Sequence, residues 1–502
     1  MVYPHAYRTE HSETQTSNNA YGDYFLGSQS NQIKIQPQLL KILQTIDSMK
    51  EKLIENLGKA IKIKSIASDV HYRAEVKKMV TFMEDWLKEL GMKYEVFNIG
   101  FYYVEGKKIR LPPVILATLG NDPNKKTLCA YGHLDVPHAE PSEWDTDPWN
   151  LTVKDGFLYG NGAGCGKGPL MCWLHALLAF KLNKMPLPVN FRFCIEMMQH
   201  KNSQGFLTFV NTKKQDFFNQ IDFVAQVAGE WLGHKIPCII YGTAGIVHME
   251  ITIEGDSSDS IKQDMENIFE TIINARMEIV IPHYSDMVEQ IGPDEEMIYA
   301  NIREFDPKEI RESLPLFKRT WDRVRLLMHM WRLPSIFIDD IEECTCPNRD
   351  KKMIRRHFIL KIVPRQTIDF TVEVVQKHIM SVIKKNNIKS KVNVKCVESV
   401  RPWVENHNSF NHQAAKRAFI QIYKVDPNLI REDTGRETTA IFDSALEKNL
   451  VILPIASKGS RLGRGNEHIS TRCFQEATKM LAAYMFQLAQ KPKKPRTVGA
   501  EK

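Results

Sequence analysis

Two apolar runs on either side of an apolar helix constrain this chain more than any other feature. KTLCAYGHLDV, from Thr127 onward, and PVNFRFCIEM (Pro188–Met197) are nearly continuous in apolar residues, as strands buried on both faces are. Between them, KGPLMCWLHALLAFKL (Lys167–Leu182) reads as a helix with almost no polar face. A strand, a helix and a second buried strand in this order form the repeating unit of an α/β sheet with helices on its faces. PPVILATLG (Pro112–Gly120) and VILPIAS near the C-terminus extend the same sheet. Around it, helical spacing runs from Pro37 to about Ile63, from Val76 to Leu90 with Gly91 as its stop, through RPWVENHNSFNHQAAKRAF, and over STRCFQEATKMLAAYMFQLAQ.

After Gly242 the pattern changes. His248–Gly255, His357–Pro364 and Lys391–Glu398 alternate as half-exposed strands do, and MENIFETIINARM and Val372–Lys384 have helical spacing. The expected organisation is an α/β domain from 37–242 and 401–490, interrupted at 243–400 by a smaller α+β lid that mediates dimerisation. Residues 1–36, rich in Ser, Thr, Asn, Gln and Tyr, read as a disordered tail, and 491–502 as a basic flexible one.

The chain has 502 residues, more than one typical domain, and its 43% apolar content suits a large core. A net charge of +7 over this length, partly in the C-terminal tail, argues against a nucleic-acid groove. No apolar run approaches the roughly 18 to 20 residues that cross a bilayer, and the polar start lacks the apolar core of a secretory signal. Nine cysteines in such a chain suggest reduced thiols and a cytoplasmic protein. Cys344 and Cys346 are too isolated for a zinc knuckle and read as free thiols. GNGAGCGKG lacks the order of a phosphate loop, because Gly168 follows the lysine.

LPPVIL, YGHLDV, GKGP, PVNFRFCIE, PCIIYGTAGI, MHMWRLPS, KIVP, RPWV and ATKMLAAYM together resemble the zinc dipeptidases related to aminoacylase and carboxypeptidase. Among these, the likeness is nearest to the cytosolic non-specific and carnosine dipeptidases, over about Pro37 to Gln490. The resemblance implies an α/β peptidase fold and a site where a bridging carboxylate holds two zinc ions about 3 to 4 Å apart. It also implies a glutamate that takes the proton from water on the metal.

Carried over residue by residue, the pattern is largely missing from this chain. His133 matches the first ligand and Asp135 the carboxylate that supports it. Cys165 stands where the bridging aspartate is expected, and Gln199 and His200 stand for the paired glutamates, base then ligand. The distal aspartate matches Ala228 and the last histidine Gly463; His468 would need a register shift to serve. The trans-acting lid histidine has no counterpart in Asp256–Asn267, the glycine-rich lid loop is replaced by Glu342–Lys352, and Lys361 stands for the arginine that receives the substrate carboxylate.

The resulting expectation is a catalytically inactive dipeptidase relative that binds, scaffolds or regulates, with Asp135 and Gln199 at the former catalytic positions. No dinuclear centre is expected; one zinc ion on His133, Cys165 and His200 is the alternative, and with it a rearranged mononuclear peptidase. A nucleophilic role for Cys165 beside either histidine is a lesser reading. The expected partners are a second copy or an active dipeptidase, with a peptide or small-molecule ligand, and neither nucleic acid nor membrane.

Overall fold

The computed structural model describes residues 35–490 apart from 105, 277, 309–310, 312–319 and 346–350. The two expected tails up to 34 and from 491, and Cys346, lie outside the described residues.

A nine-stranded sheet forms the larger layer. At its centre Asn190–Glu196, Thr127–His133, Phe223–Gln226 and Asn449–Ile452 lie side by side and parallel. Val114–Leu119 continues this sheet but runs antiparallel to Asn190–Glu196. Its apolar run signalled burial on both faces, which is independent of strand direction.

Helix Lys167–Leu182 occupies the span expected, with every residue from Lys167 to Phe180 buried. It packs against the C-terminal helix Thr471–Ala489 and the N-terminal helices Pro37–Ser48 and Lys50–Ile61. The helix Arg73–Leu90 ends on Gly91 in the left-handed conformation at φ 74°, where a residue without a Cβ is least strained.

The second sheet is antiparallel, in the order Ser335–Ile338, Lys352–Ile362, Gly245–Gly255, Lys391–Val400, with Glu342–Cys344 beside the second. Helices Ser258–Phe269 and Ile368–Lys385 supply apolar residues to its core, among them Ile261, Met265, Val375 and Ile379. The first of these helices starts earlier than MENIFETIINARM suggested and ends at Phe269. Residues between the strands behave differently: Tyr299, Ile302, Phe305, Leu327 and Trp331 join the core of the larger sheet. They lie in and around helices Pro293–Ala300 and Arg323–Trp331. Among the described residues no helix is long and apolar enough to cross a membrane, and the described cysteines are free thiols.

Candidate active site

The parallel strands bring the site residues to one edge. His133 is the last residue of its strand and pairs with Glu196, three residues before Gln199. Tyr131 pairs with Gln226, so continuing that register sets Ala228 level with His133. Carboxyl ends of parallel strands are where open α/β sheets place their ligand sites.

The loop before the buried helix delivers Cys165. Two glycines just after it are required by close approach: a Cβ on Gly166 would lie 2.8 Å from His133 Cε1, and one on Gly168 would lie 1.9 Å from the Ala163 carbonyl oxygen. The backbone of this loop therefore runs close against the His133 ring.

His133 Nε2 lies 3.7 Å from Cys165 Sγ, and the His133 and His200 rings meet edge to face with centroids 5.2 Å apart. One ligand atom from each of His133, Cys165 and His200 lies within 4.8 Å of the other two, the only such group of three or more His, Cys, Asp or Glu residues among those described. Asp135 ties the cluster together from beneath. Its carbonyl oxygen and Oδ1 lie 3.2 and 3.3 Å from His133 Nδ1, and its Oδ2 accepts the His200 backbone N–H at 2.8 Å. Two oxygens facing Nδ1 put the ring proton there when His133 is neutral, leaving the Nε2 lone pair toward the sulfur.

Burial alone would push the Cys165 thiol up, but hydrogen bonds from His133 and His200 and their charges outweigh it and bring it down to about 5. Burial opposes charge on His133 as well, yet its contacts with Asp135 and Cys165 raise it well above the usual imidazole range. Asp135, despite its burial, is held below the ordinary carboxylate range by His133 and His200.

A residue the sequence did not single out anchors this loop. Glu467 is fully buried, and its carboxylate accepts backbone N–H groups from Gly164 and Cys165 at 2.8 Å, Gly162 at 3.1 Å and Gly463 at 3.2 Å. Burial and the nearby Cys165 charge push its carboxyl up to about 8, against the pull of the backbone donors. Glu196 is a second buried acid, taken up by Tyr131 and by Ser203, whose hydroxyl donates at 2.9 Å. Burial raises it to about 7.

The remaining positions divide. A Cβ on Gly463 would sit 3.7 Å from His200 Cε1, so Gly463 borders the cluster. Ala228 packs against the main core. The side-chain carbonyl oxygen of Gln199 is buried without a hydrogen-bond partner. His468 is outside the cluster, its ring packed on Phe157 and Tyr159 at 5.1 and 4.8 Å. Lys361 lies in the smaller sheet, where its ammonium donates to the carbonyl oxygens of His329 and Met330 at 3.0 and 2.8 Å.

Residues 129–487 match the family model for peptidase family M20/M25/M40. The chain belongs to this family. It is 30% identical to the Cys-Gly metallodipeptidase dug1 of Schizosaccharomyces pombe, over 89% of this chain and 98% of that one. It is also 30% identical to the Beta-Ala-His dipeptidase of Homo sapiens, over 90% and 94%. The crystal structure of human carnosine dipeptidase 1 superposes with a TM-score of 0.80 at 28% identity, covering 91% of this chain and all of that one. The Saccharomyces cerevisiae dipeptidase Dug1p gives 0.79 at 28% identity, over 91% and 99%. The fold, and its dipeptidase-like character within the M20/M25/M40 peptidases, thus agree with the motifs.

Proposed function

We propose that this chain is a catalytically inactive relative of the family's dipeptidases, acting by binding or by pairing, and that it holds no dinuclear metal centre. The observation that carries this reading is the donor set. His133, Cys165 and His200 offer one anionic donor at most, and no further acid joins them among the described residues. Two buried carboxylates beside the trio are already committed: Asp135 Oδ2 accepts the His200 backbone N–H while its Oδ1 lies 3.3 Å from His133 Nδ1, and Glu467 accepts backbone N–H groups.

Two dications about 3.5 Å apart repel by about 19 kcal/mol at an effective dielectric of about 20. One thiolate offsets too little of that. Gln199, as an amide, has no basic lone pair near neutral pH, so it orients water without deprotonating it.

Purified protein given Cys-Gly or β-Ala-His, with zinc or manganese added, is expected to turn over at least about 10⁴-fold more slowly than an active relative, since base and bridging carboxylate are both missing. The convergence of the trio favours one alternative, a mononuclear peptidase. Chelator-sensitive hydrolysis that disappears in His133→Ala would establish that alternative and overturn the inactive reading.

Pairing belongs to the same proposal, through the smaller α+β unit, with a second copy or with an active dipeptidase. Because this chain's lid lacks the trans-acting histidine that the family pattern supplies, a mixed dimer is expected to lower the partner's turnover per site. Lys361 is the proposed cation for a bound peptide's carboxylate. Unchanged turnover in isolated mixed dimers would rule out the regulatory role.

A further inference from the structure

The residues that cannot balance two dications suit one thiophilic ion. We propose that His133, Cys165 and His200 form a mononuclear site, two imidazole nitrogens and one thiolate sulfur, for a single d10 cation, zinc(II) or copper(I). This rests on the reading above that the dinuclear centre is absent.

Distance is the first support. Bonds of about 2.3 Å to sulfur and about 2.05 Å to nitrogen, at a tetrahedral angle, set the two donor atoms about 3.6 Å apart. His133 Nε2 and Cys165 Sγ are 3.7 Å apart, and one ring nitrogen of His200 lies within 4.8 Å of Cys165 Sγ and of a His133 ring nitrogen. His133 and Cys165 already stand at that spacing, and the His200 ring completes the site by turning toward them.

Orientation is the second. The oxygens of Asp135 at 3.2 and 3.3 Å from Nδ1 leave His133 Nε2 as the donor, the arrangement by which carboxylates fix metal-bound imidazoles. The same carboxylate holds the His200 backbone at 2.8 Å. Cys165 is fixed by Glu467 through its N–H at 2.8 Å and by the start of a helix buried on all sides.

Charge and softness decide the class of ion. One thiolate and the Asp135 carboxylate together match a dication, and the thiolate alone matches a monocation. Manganese and magnesium, which favour several oxygen donors, find no side-chain oxygen within the trio.

The full chain, stripped with chelator and dialysed, would be titrated separately with zinc(II), copper(I), manganese(II) and cobalt(II), and bound metal measured. One zinc or one copper per chain is expected, with manganese lost on desalting. Cobalt is expected to give a sulfur-to-metal charge-transfer band that Cys165→Ser removes. Asp135→Asn, which keeps the packing, should weaken zinc about 10- to 100-fold. Bound zinc should slow iodoacetamide labelling of Cys165 at least about 10-fold.

No retained ion in folded wild-type protein would overturn the site and leave the inactive reading standing. Zinc binding unchanged in folded Cys165→Ser would overturn it as well. Two zinc ions per chain with dipeptide turnover would overturn both.

Discussion

Placing together the donors that the likeness assigns to these positions, as Cys165→Asp, Gln199→Glu, His200→Glu, Ala228→Asp and Gly463→His, is expected to give two bound ions per chain and measurable dipeptide hydrolysis. The framework for this is in place. His133 and Asp135 keep their geometry at the end of a central strand, and the parallel register sets Ala228 beside them. Gly463 already borders His200, with 3.7 Å between its would-be Cβ and Cε1. Its φ of +68° makes a histidine there strained by about 1 to 2 kcal/mol, a tolerable loss in a protein of this size.

Single restorations should gain nothing, because groups that act as a unit contribute only together. A returned base alone is worth about 10² to 10⁴ in rate, and only on water held by metal. Activity should stay below that of the relatives, since Lys361, the proposed cation for the substrate carboxylate, lacks the paired hydrogen bonds an arginine makes. Metal content and kcat/KM on Cys-Gly measure both outcomes. A folded variant carrying all of these changes that binds no second ion would show that the loss lies outside these positions.

Glu467→Ala is expected to be the most destabilising single change in the site. It orphans the N–H groups of Gly162, Gly164, Cys165 and Gly463. Each buried donor left unpaired costs about 1 to 3 kcal/mol, so the loss is at least about 4 kcal/mol unless water fills the space. For a large domain that is a fall in melting temperature on the order of 10 °C. Glu467→Gln keeps one acceptor and should lose less. Thermal unfolding followed by circular dichroism measures the difference; an alanine variant melting within about 2 °C of wild type would show that the loop does not depend on this carboxylate.

The motifs that carry chemistry were legible because local contacts fix them. GKGP needs its glycines where a Cβ would strike Ala163 or His133, and that demand is written in the residues themselves. The Lys167–Leu182 helix was legible for the same reason, being apolar on every face and buried on every face. Convergence of His133, Cys165 and His200 followed from the likeness to a known pattern rather than from periodicity.

Glu467 was not legible. Its role depends on backbone donors about three hundred residues earlier in the chain, and a lone acid in GNEH carries no sign of them. Strand direction at Val114–Leu119 was hidden because burial on both faces gives one pattern for either direction. The packing of Tyr299 and Trp331 on the larger core was hidden too, since an apolar face does not name the surface it meets.

The metal content of protein purified without chelator bears most directly on whether this site holds a dinuclear centre. No more than one ion per chain is expected. Two ions per chain, bound tightly enough to survive gel filtration, would contradict it.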